Sequence, residues 1–380
     1  MRILVLIHEY PPVGGGGGRV AQDICEGLAE QGHEVLILTA HCDDLPMEEK
    51  HGGIKIQRLK SWRRLPYKAD FRAMAGYVWK SFWVGLRIIR EWRPQVIHTH
   101  FAVPAGASAW LLNRLTGVPY VLTAHLGDVP GGTPEKTGKW FKWVFPFTPP
   151  IWKRAAEVVA VSEFTRQLAL KSYPVDVGVI PNGVDLEKID PGNIALNDPP
   201  RIVFAGRFMQ QKNPVQIVRT LSSLKELPWN CVLIGDGPLR GEIETEIKRC
   251  GLQDRITLTG WIKPEQVLEW YARSDIMFMP SLSEGLPVVG VQALAMGLAL
   301  VLSRAGGNVE LIQQGENGYL IDVDDASGYE ESLRKLLSNP EACLQARNAS
   351  RQVAQRFDIH SVVESYANIF SRVPNPDNIQ

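Results

Sequence analysis

One carboxylate stands on a glycine turn between an apolar strand and a helix: Glu284, in Ser283-Glu284-Gly285-Leu286-Pro287. Upstream, Ile276–Met279 reads as a short buried strand. Downstream, Pro287 suits the first helical position, so the amides of Gly285, Leu286 and the next turn are expected to face outward unpaired. Free amides at a helix start attract anions. A carboxylate beside them accepts hydrogen bonds from vicinal hydroxyls, so the pair suits a sugar joined to a phosphate. The plainer reading is a capped helix with an acidic first turn.

Two cations point to the same chemistry. Gly206-Arg207 follows the strand at 201–205, and Lys212 comes five residues later. Fixed cations at a strand's carboxyl end suit a diphosphate, although basic loops are also common there. Gly235-Asp236-Gly237-Pro238 closes the next strand with a structural turn that can border a nucleotide. Trp261, Ile262 and Gln292 are further candidate ligand contacts in this half.

In the first half, Pro11-Pro12-Val13 precedes five glycines, Gly14 to Gly18, and then Arg19. Such a loop lets backbone come close to a ligand, or simply turns tightly. It is not a dinucleotide fingerprint, because the third glycine of Gly-x-Gly-x-x-Gly falls on Arg19 or Val20. The second strand also ends at Thr39-Ala40 without the acid that holds a nicotinamide ribose. Gly14, Gly15, Gly16, Gly17 and Arg19 therefore form a candidate phosphate or acceptor loop.

His98, His100 and His125 sit at or just past strand ends, where doubly wound sheets bind ligands. His98 and His100 are expected on opposite faces of their strand, which with the missing further ligand argues against zinc. His125 is a candidate substrate contact or a satisfied loop histidine; His100 and Asp128 join the acceptor side. Asp322-Val323-Asp324 matches an Asp-x-Asp metal motif, but its place after a late strand and before a polar helix suggests a surface turn. No metal and no cofactor is expected, with Arg207 and Lys212 filling a metal's role.

The elements around these residues indicate two domains. At 380 residues the chain exceeds one ordinary core. Apolar strands alternate with helical patterns from residue 3 to 161, break into Pro, Asn, Asp and Gly at 181–200, and resume from 201. This gives an α/β protein of two doubly wound, Rossmann-like parallel-sheet domains facing a central cleft: residues 1–180, a linker at 181–200, residues 201–357, and a surface helix with a tail at 358–380. The first helix is expected at about 19–31. Five scattered cysteines without Cys-x-x-Cys suggest reduced thiols in the cytoplasm. The first seven residues read as a strand rather than a signal peptide, and no membrane span is expected.

Together, Pro11 to Gly18, His125-Leu126-Gly127-Asp128, Val161-Ser162-Glu163-Phe164-Thr165, Ile180-Pro181-Asn182-Gly183-Val184-Asp185, Gly206-Arg207 with Lys212, Gly235-Asp236-Gly237-Pro238, Ser283-Glu284-Gly285-Leu286-Pro287 and Gly306-Gly307 resemble the retaining glycosyltransferases of family 4, the group 1 glycosyl transferases. The ordered set spans nearly the whole chain. The resemblance implies the GT-B fold, with the nucleotide-sugar donor on the second domain, the acceptor on the first, and a last helix that crosses back to the first domain. It implies that Arg207 and Lys212 bind the diphosphate and stabilise the leaving group, with the amides of Gly285 and Leu286 adding to that grip. Glu284 would hold the donor sugar's hydroxyls, His125 would lie at the reacting face, and Gly15 and Gly16 would approach phosphate or acceptor. Retention in this family is usually explained by attack on the face of departure, which fits the lack of a second well-placed carboxylate. Two positions depart from the family pattern. Gln292 stands where a second Glu usually holds the nucleotide ribose, and Asn213 stands where Gly is commoner.

The expected reaction moves a sugar from a UDP-, GDP- or ADP-linked donor to a hydroxyl of a glycan, lipid-linked or small-molecule acceptor, without metal. A sugar-nucleotide epimerase of the same fold and a non-catalytic nucleotide-sugar-binding relative are the alternatives. Residues 1–180 carry 22 Lys and Arg against 16 Asp and Glu, and the rest carry 19 against 25. The excess lies in 58–93, where ten cations alternate with Trp62, Tyr67, Phe71, Tyr77, Trp79, Phe82, Trp83 and Trp92, and in 136–154, with Trp140, Phe141, Trp143, Phe145, Phe147 and Trp152. Such stretches pack under helices or meet an anionic membrane surface, here the inner face of the cytoplasmic membrane. Nucleic acid is not expected.

Overall fold

The computed structural model describes residues 1–42, 44–65, 69–133, 141–189 and 191–374, with backbone alone at 141 and 142. The chain forms two compact units, Met1–Gly183 with Ile359–Gln380, and Val184–Asp358.

The first unit carries β1 (Arg2–Leu6), β2 (Glu34–Ala40), β3 (Glu48–His51), β4 (Ile54–Leu59), β5 (Val96–His100), β6 (Tyr120–Ala124), β7 (Glu157–Ala160) and β8 (Gly178–Val179), in the order β3-β4-β2-β1-β5-β6-β7-β8. All pair in parallel except β3 on β4. Strands covered on both faces must be apolar throughout, and Ile3 to Leu6 have no exposure. β5 breaks that rule, being fully buried while carrying His98, Thr99 and His100. The β3–β4 hairpin was not foreseen, because Glu48-Glu49-Lys50-His51 is charged as a sheet edge should be, and Gly52 at φ 56 turns it.

The first helix spans Gly16–Glu30 rather than 19–31, so three of the five glycines form its first turn. Gly17 and Gly18 fit because a Cβ there would lie 2.5 Å from the Phe101 ring and 2.7 Å from the Glu9 carbonyl oxygen. The last helix, Ile359–Arg372, buries Ile359, Val362, Val363, Tyr366 and Phe370 instead of lying polar on a surface. It packs on the first helix at Gly27, where a Cβ would meet Val363 Cγ2 at 2.5 Å.

The second unit is wholly parallel, with β9 (Arg201–Ala205), β10 (Asn230–Ile234), β11 (Ile256–Gly260), β12 (Ile276–Met279), β13 (Ala299–Ser303) and β14 (Gly318–Ile321) in the order β11-β10-β9-β12-β13-β14. Asp275, just before β12, accepts from the amides of Asn197 and Arg201 and pairs with Arg347 at 2.7 Å, tying the incoming connector to the sheet. No helix among the described residues is long and apolar enough to cross a membrane.

Asp275 and Arg347 are both buried, so Asp275→Ala leaves a buried guanidinium unpaired and should cost about 3–5 kcal/mol of stability. Equilibrium urea unfolding measures this; an unchanged midpoint would refute the assigned role.

Candidate active site

β9 and β12 are neighbours, yet the chain leaves β9 toward β10 and returns to β12 on its other side. Their loops therefore part at the sheet's switch point, where open α/β sheets bind ligands. The loop after β9 carries Gly206 and Arg207, makes a short turn at Gln210–Lys212, and enters the helix Pro214–Ser222. Asn213 holds φ 48 and ψ 47, a left-handed conformation that asparagine tolerates and glycine shares, so its departure from the family pattern leaves this loop shape available. Gln211 ties this loop to the one after β12: its carbonyl accepts from the Leu282 amide at 2.7 Å, and its Nε2 donates to the Ser283 carbonyl at 2.8 Å. This docking brings Lys212 Nζ to 2.6 Å from Glu284 Oε1. Among the described residues, the Arg207 side chain makes no ion pair or hydrogen bond.

Glycines fix the shape around this pair. Gly306, at φ 58, passes so close that a Cβ would lie 1.8 Å from the Glu284 carbonyl oxygen, and a Cβ on Gly307 would lie 1.6 Å from that of Gly285. The Gly307 amide donates to the Glu284 carbonyl at 3.0 Å. Gly235 and Gly237, at φ 136 and 156, clasp the Arg207 loop through a Phe208 amide to Asp236 carbonyl bond of 2.8 Å.

The helix begins at Val288, with Pro287 as the flanking residue rather than the first helical one. Leu286 is buried in the core. Gln292 is half-buried one turn into that helix. Trp261 is exposed and Ile262 half-buried just past β11, two strands from β9. Asp322 pairs with Arg304 in an exposed turn after β14.

The first unit has its own cluster at the matching point, the ends of β1, β5 and β6. His125 Nε2 lies 3.4 Å from His100 Nδ1, and its ring stacks 4.4 Å from Phe101, which is strained at φ 72. Asp128 accepts from the amides of Ala102 and His125, both at 2.9 Å. His98 and His100 share a face, with ring centroids 4.3 Å apart, because residues two apart on a strand point the same way. The expectation of opposite faces is therefore wrong. His98 is hydrogen-bonded to Thr123, which reaches Tyr366 of the last helix.

Among the described residues no group of three or more His, Cys, Asp or Glu could hold a metal ion. Arg19 pairs with Asp23 at 3.0 Å. Gly14, at φ 103, faces Glu9. His8, Glu9, Phe101 and Gln211 were missed from sequence; His8 carried the same strand-end signal that singled out His100 and His125. Arg63, which reaches the His8 carbonyl and Glu9 Oε1 at 3.1 Å from a remote loop, carried none.

Burial pushes His98 down to about 3 and His8 and His125 down to about 4, and holds His100 well below 6.5. These rings are neutral at pH 7. Burial also raises Asp128 to about 7, against the pull of the amides of His125, Val103 and Ala102.

The family described as Glycosyltransferase Family 4 matches residues 14–188, and the one described as Glycosyl transferases group 1 matches residues 187–353. The chain belongs to this glycosyltransferase family. The UDP-Gal:alpha-D-GlcNAc-diphosphoundecaprenol alpha-1,3-galactosyltransferase of Escherichia coli is 25% identical over 75% of this chain and 77% of its own. Sucrose-phosphate synthase from Thermosynechococcus elongatus superposes with a TM-score of 0.86 at 21% identity, over 98% of both chains. Anabaena HepE in complex with UDP and glucose superposes at 0.76 with 17% identity, over 98% of this chain and 99% of its own. The fold of this glycosyltransferase is GT-B.

Gly307→Ala should displace the Glu284 turn and lower kcat/KM of the glycosyltransferase by at least roughly 100-fold; an unaltered steady-state rate would contradict the close approach. The buried histidines bind fewer protons folded than unfolded, so their contribution is lost as pH falls from 6.5 toward 4. Asp128 acts oppositely between 3.8 and about 7, but as one group against four. The melting temperature should fall between pH 6.5 and 5; a level profile would show the rings to be solvated.

Proposed function

We propose that this glycosyltransferase moves a sugar, with retention and without metal, from a nucleotide-diphosphate sugar to a hydroxyl of a glycan, lipid-linked or small-molecule acceptor. The observation that carries this is the 2.6 Å pair of Lys212 and Glu284 at the second sheet's switch point. A diphosphate gives Lys212 a second anion to bind, and sugar hydroxyls give Glu284 new donors, so one ligand can part the pair and satisfy both groups. Arg207, whose side chain has no ion-pair or hydrogen-bond partner among the described residues, adds a cation for the leaving diphosphate.

As the anomeric C–O bond breaks, its electrons pass to the departing phosphate oxygen. The acceptor hydroxyl forms the new bond on the same face and gives its proton to that oxygen. Glu284, committed to Lys212 and to hydroxyls, is not the nucleophile. His125, neutral at pH 7, serves as a polar contact rather than an acid. The second unit takes the donor and the first the acceptor, and Arg207 with Lys212 do the charge work a metal would do. The acceptor in the name of the Escherichia coli relative, a diphosphoundecaprenol-linked sugar, favours a lipid-linked glycan. Five free, buried cysteines favour the cytoplasm.

Product analysis with UDP-, GDP- and ADP-sugars tests the reading. Nucleoside diphosphate should appear in step with a glycoside that keeps the donor's anomeric configuration, whereas an isomeric nucleotide sugar without diphosphate release would assign an epimerase. Lys212→Ala or Glu284→Ala should each lower kcat/KM on the order of 100- to 1,000-fold; wild-type rates in either would remove the site assignment.

A further inference from the structure

We propose that the exposed face of the helix Phe71–Trp92, with Trp62 laid against it, docks on an anionic bilayer. The helix's other side is fixed. The Tyr77 hydroxyl donates to the Leu38 carbonyl at 2.8 Å, Ser81 bonds to Ser108, and Ile88 is buried in the core. What faces outward is aromatic and cationic: Phe71, Trp79 and Trp83 are 64%, 60% and 53% exposed, and Arg72, Lys80, Arg87 and Arg90 are exposed around them. At 100° per residue, Arg72, Trp79, Trp83, Arg87 and Arg90 fall in one arc of about 80°.

Trp62 is an independent sign of design. It is 67% exposed and holds φ 60, an outlier for so bulky a residue. Its ring lies over Gly76, where a Cβ would come within 2.6 Å, so a glycine inside the helix is needed to seat it. Strain and a helix glycine, each unfavourable, are both kept, and together they present an indole to the outside.

The mixture selects the occupant. Among the described residues none of the four cations makes an ion pair; Asp70 is used in capping the Ala73 amide at 2.8 Å, which leaves Glu91 as the acid of this face. Indoles and cations on long stems suit the headgroup region of an anionic membrane. A protein partner fits less well, since the cores of such interfaces are depleted of charge. A second copy in a two-fold arrangement would set this basic face against itself. The proposal does not depend on which acceptor is used.

Flotation of the full chain with vesicles of phosphatidylcholine alone, and mixed with phosphatidylglycerol, tests it. The protein should float with the anionic vesicles at low salt, float less as salt rises, and stay down with the neutral ones. The triple variant Arg72→Glu, Arg87→Glu, Arg90→Glu should lower partitioning on the order of 100-fold. Trp79→Ser with Trp83→Ser should weaken binding while keeping its salt dependence. All five positions are exposed, so melting temperatures should match the wild type. The proposal fails if the wild type stays down with anionic vesicles at low salt, floats equally on neutral ones, or if the triple variant floats like the wild type; dimerisation without flotation would give the face to a second copy.

Discussion

A cation and a carboxylate 2.6 Å apart, where two adjacent strands send their loops in opposite directions, set the character of the second unit. Neither Lys212 nor Glu284 is well solvated, with side chains 18% and 5% exposed, so removing either one leaves the other's charge buried without its partner. That mutual need keeps both groups aimed at one spot before any ligand arrives. It also sets a condition on the ligand, which must bring an anion for one and donors for the other. A sugar phosphate does both, whereas an anion alone leaves the carboxylate unsatisfied.

Backbone contact holds the pair. Gly306 and Gly307 lie against the Glu284 turn, and Gly235 and Gly237 against the Arg207 loop, at distances no side chain would permit. The first unit uses the same device, where Gly14, Gly17 and Gly18 admit Glu9 and Phe101. Glycine-rich stretches here serve chain-to-chain packing first, and their effect on a ligand follows from the shapes they set. The buried histidines of β5 and β6 add a polar cluster kept neutral by desolvation, suited to directing hydrogen bonds rather than carrying charge.

Much of this was legible in the sequence because fully apolar runs such as Ile276–Met279 have few alternatives to a buried parallel strand. Glu284, Arg207 and Lys212 were legible because chemistry at strand ends is visible as residue type. The β3–β4 hairpin was not, since an edge strand hides its pattern under charge. The helix start at Gly16 was missed because glycine propensity argues against a helix that packing against Phe101 and Glu9 sustains. Gln211 gave no signal: its role lies in bonds to the Leu282 amide and the Ser283 carbonyl, 72 residues on in the case of Ser283. The placement of His98 and His100 failed through a misapplied strand period, which their touching rings correct.

Calorimetric titration of uridine, guanosine and adenosine diphosphates, each against its parent nucleoside, into the wild type and into Lys212→Met addresses the central claim most directly. One diphosphate should bind the wild type far more tightly than its nucleoside does, and that advantage should largely vanish in the variant. Equal gains from the diphosphate in both proteins would place the phosphates elsewhere and contradict the account.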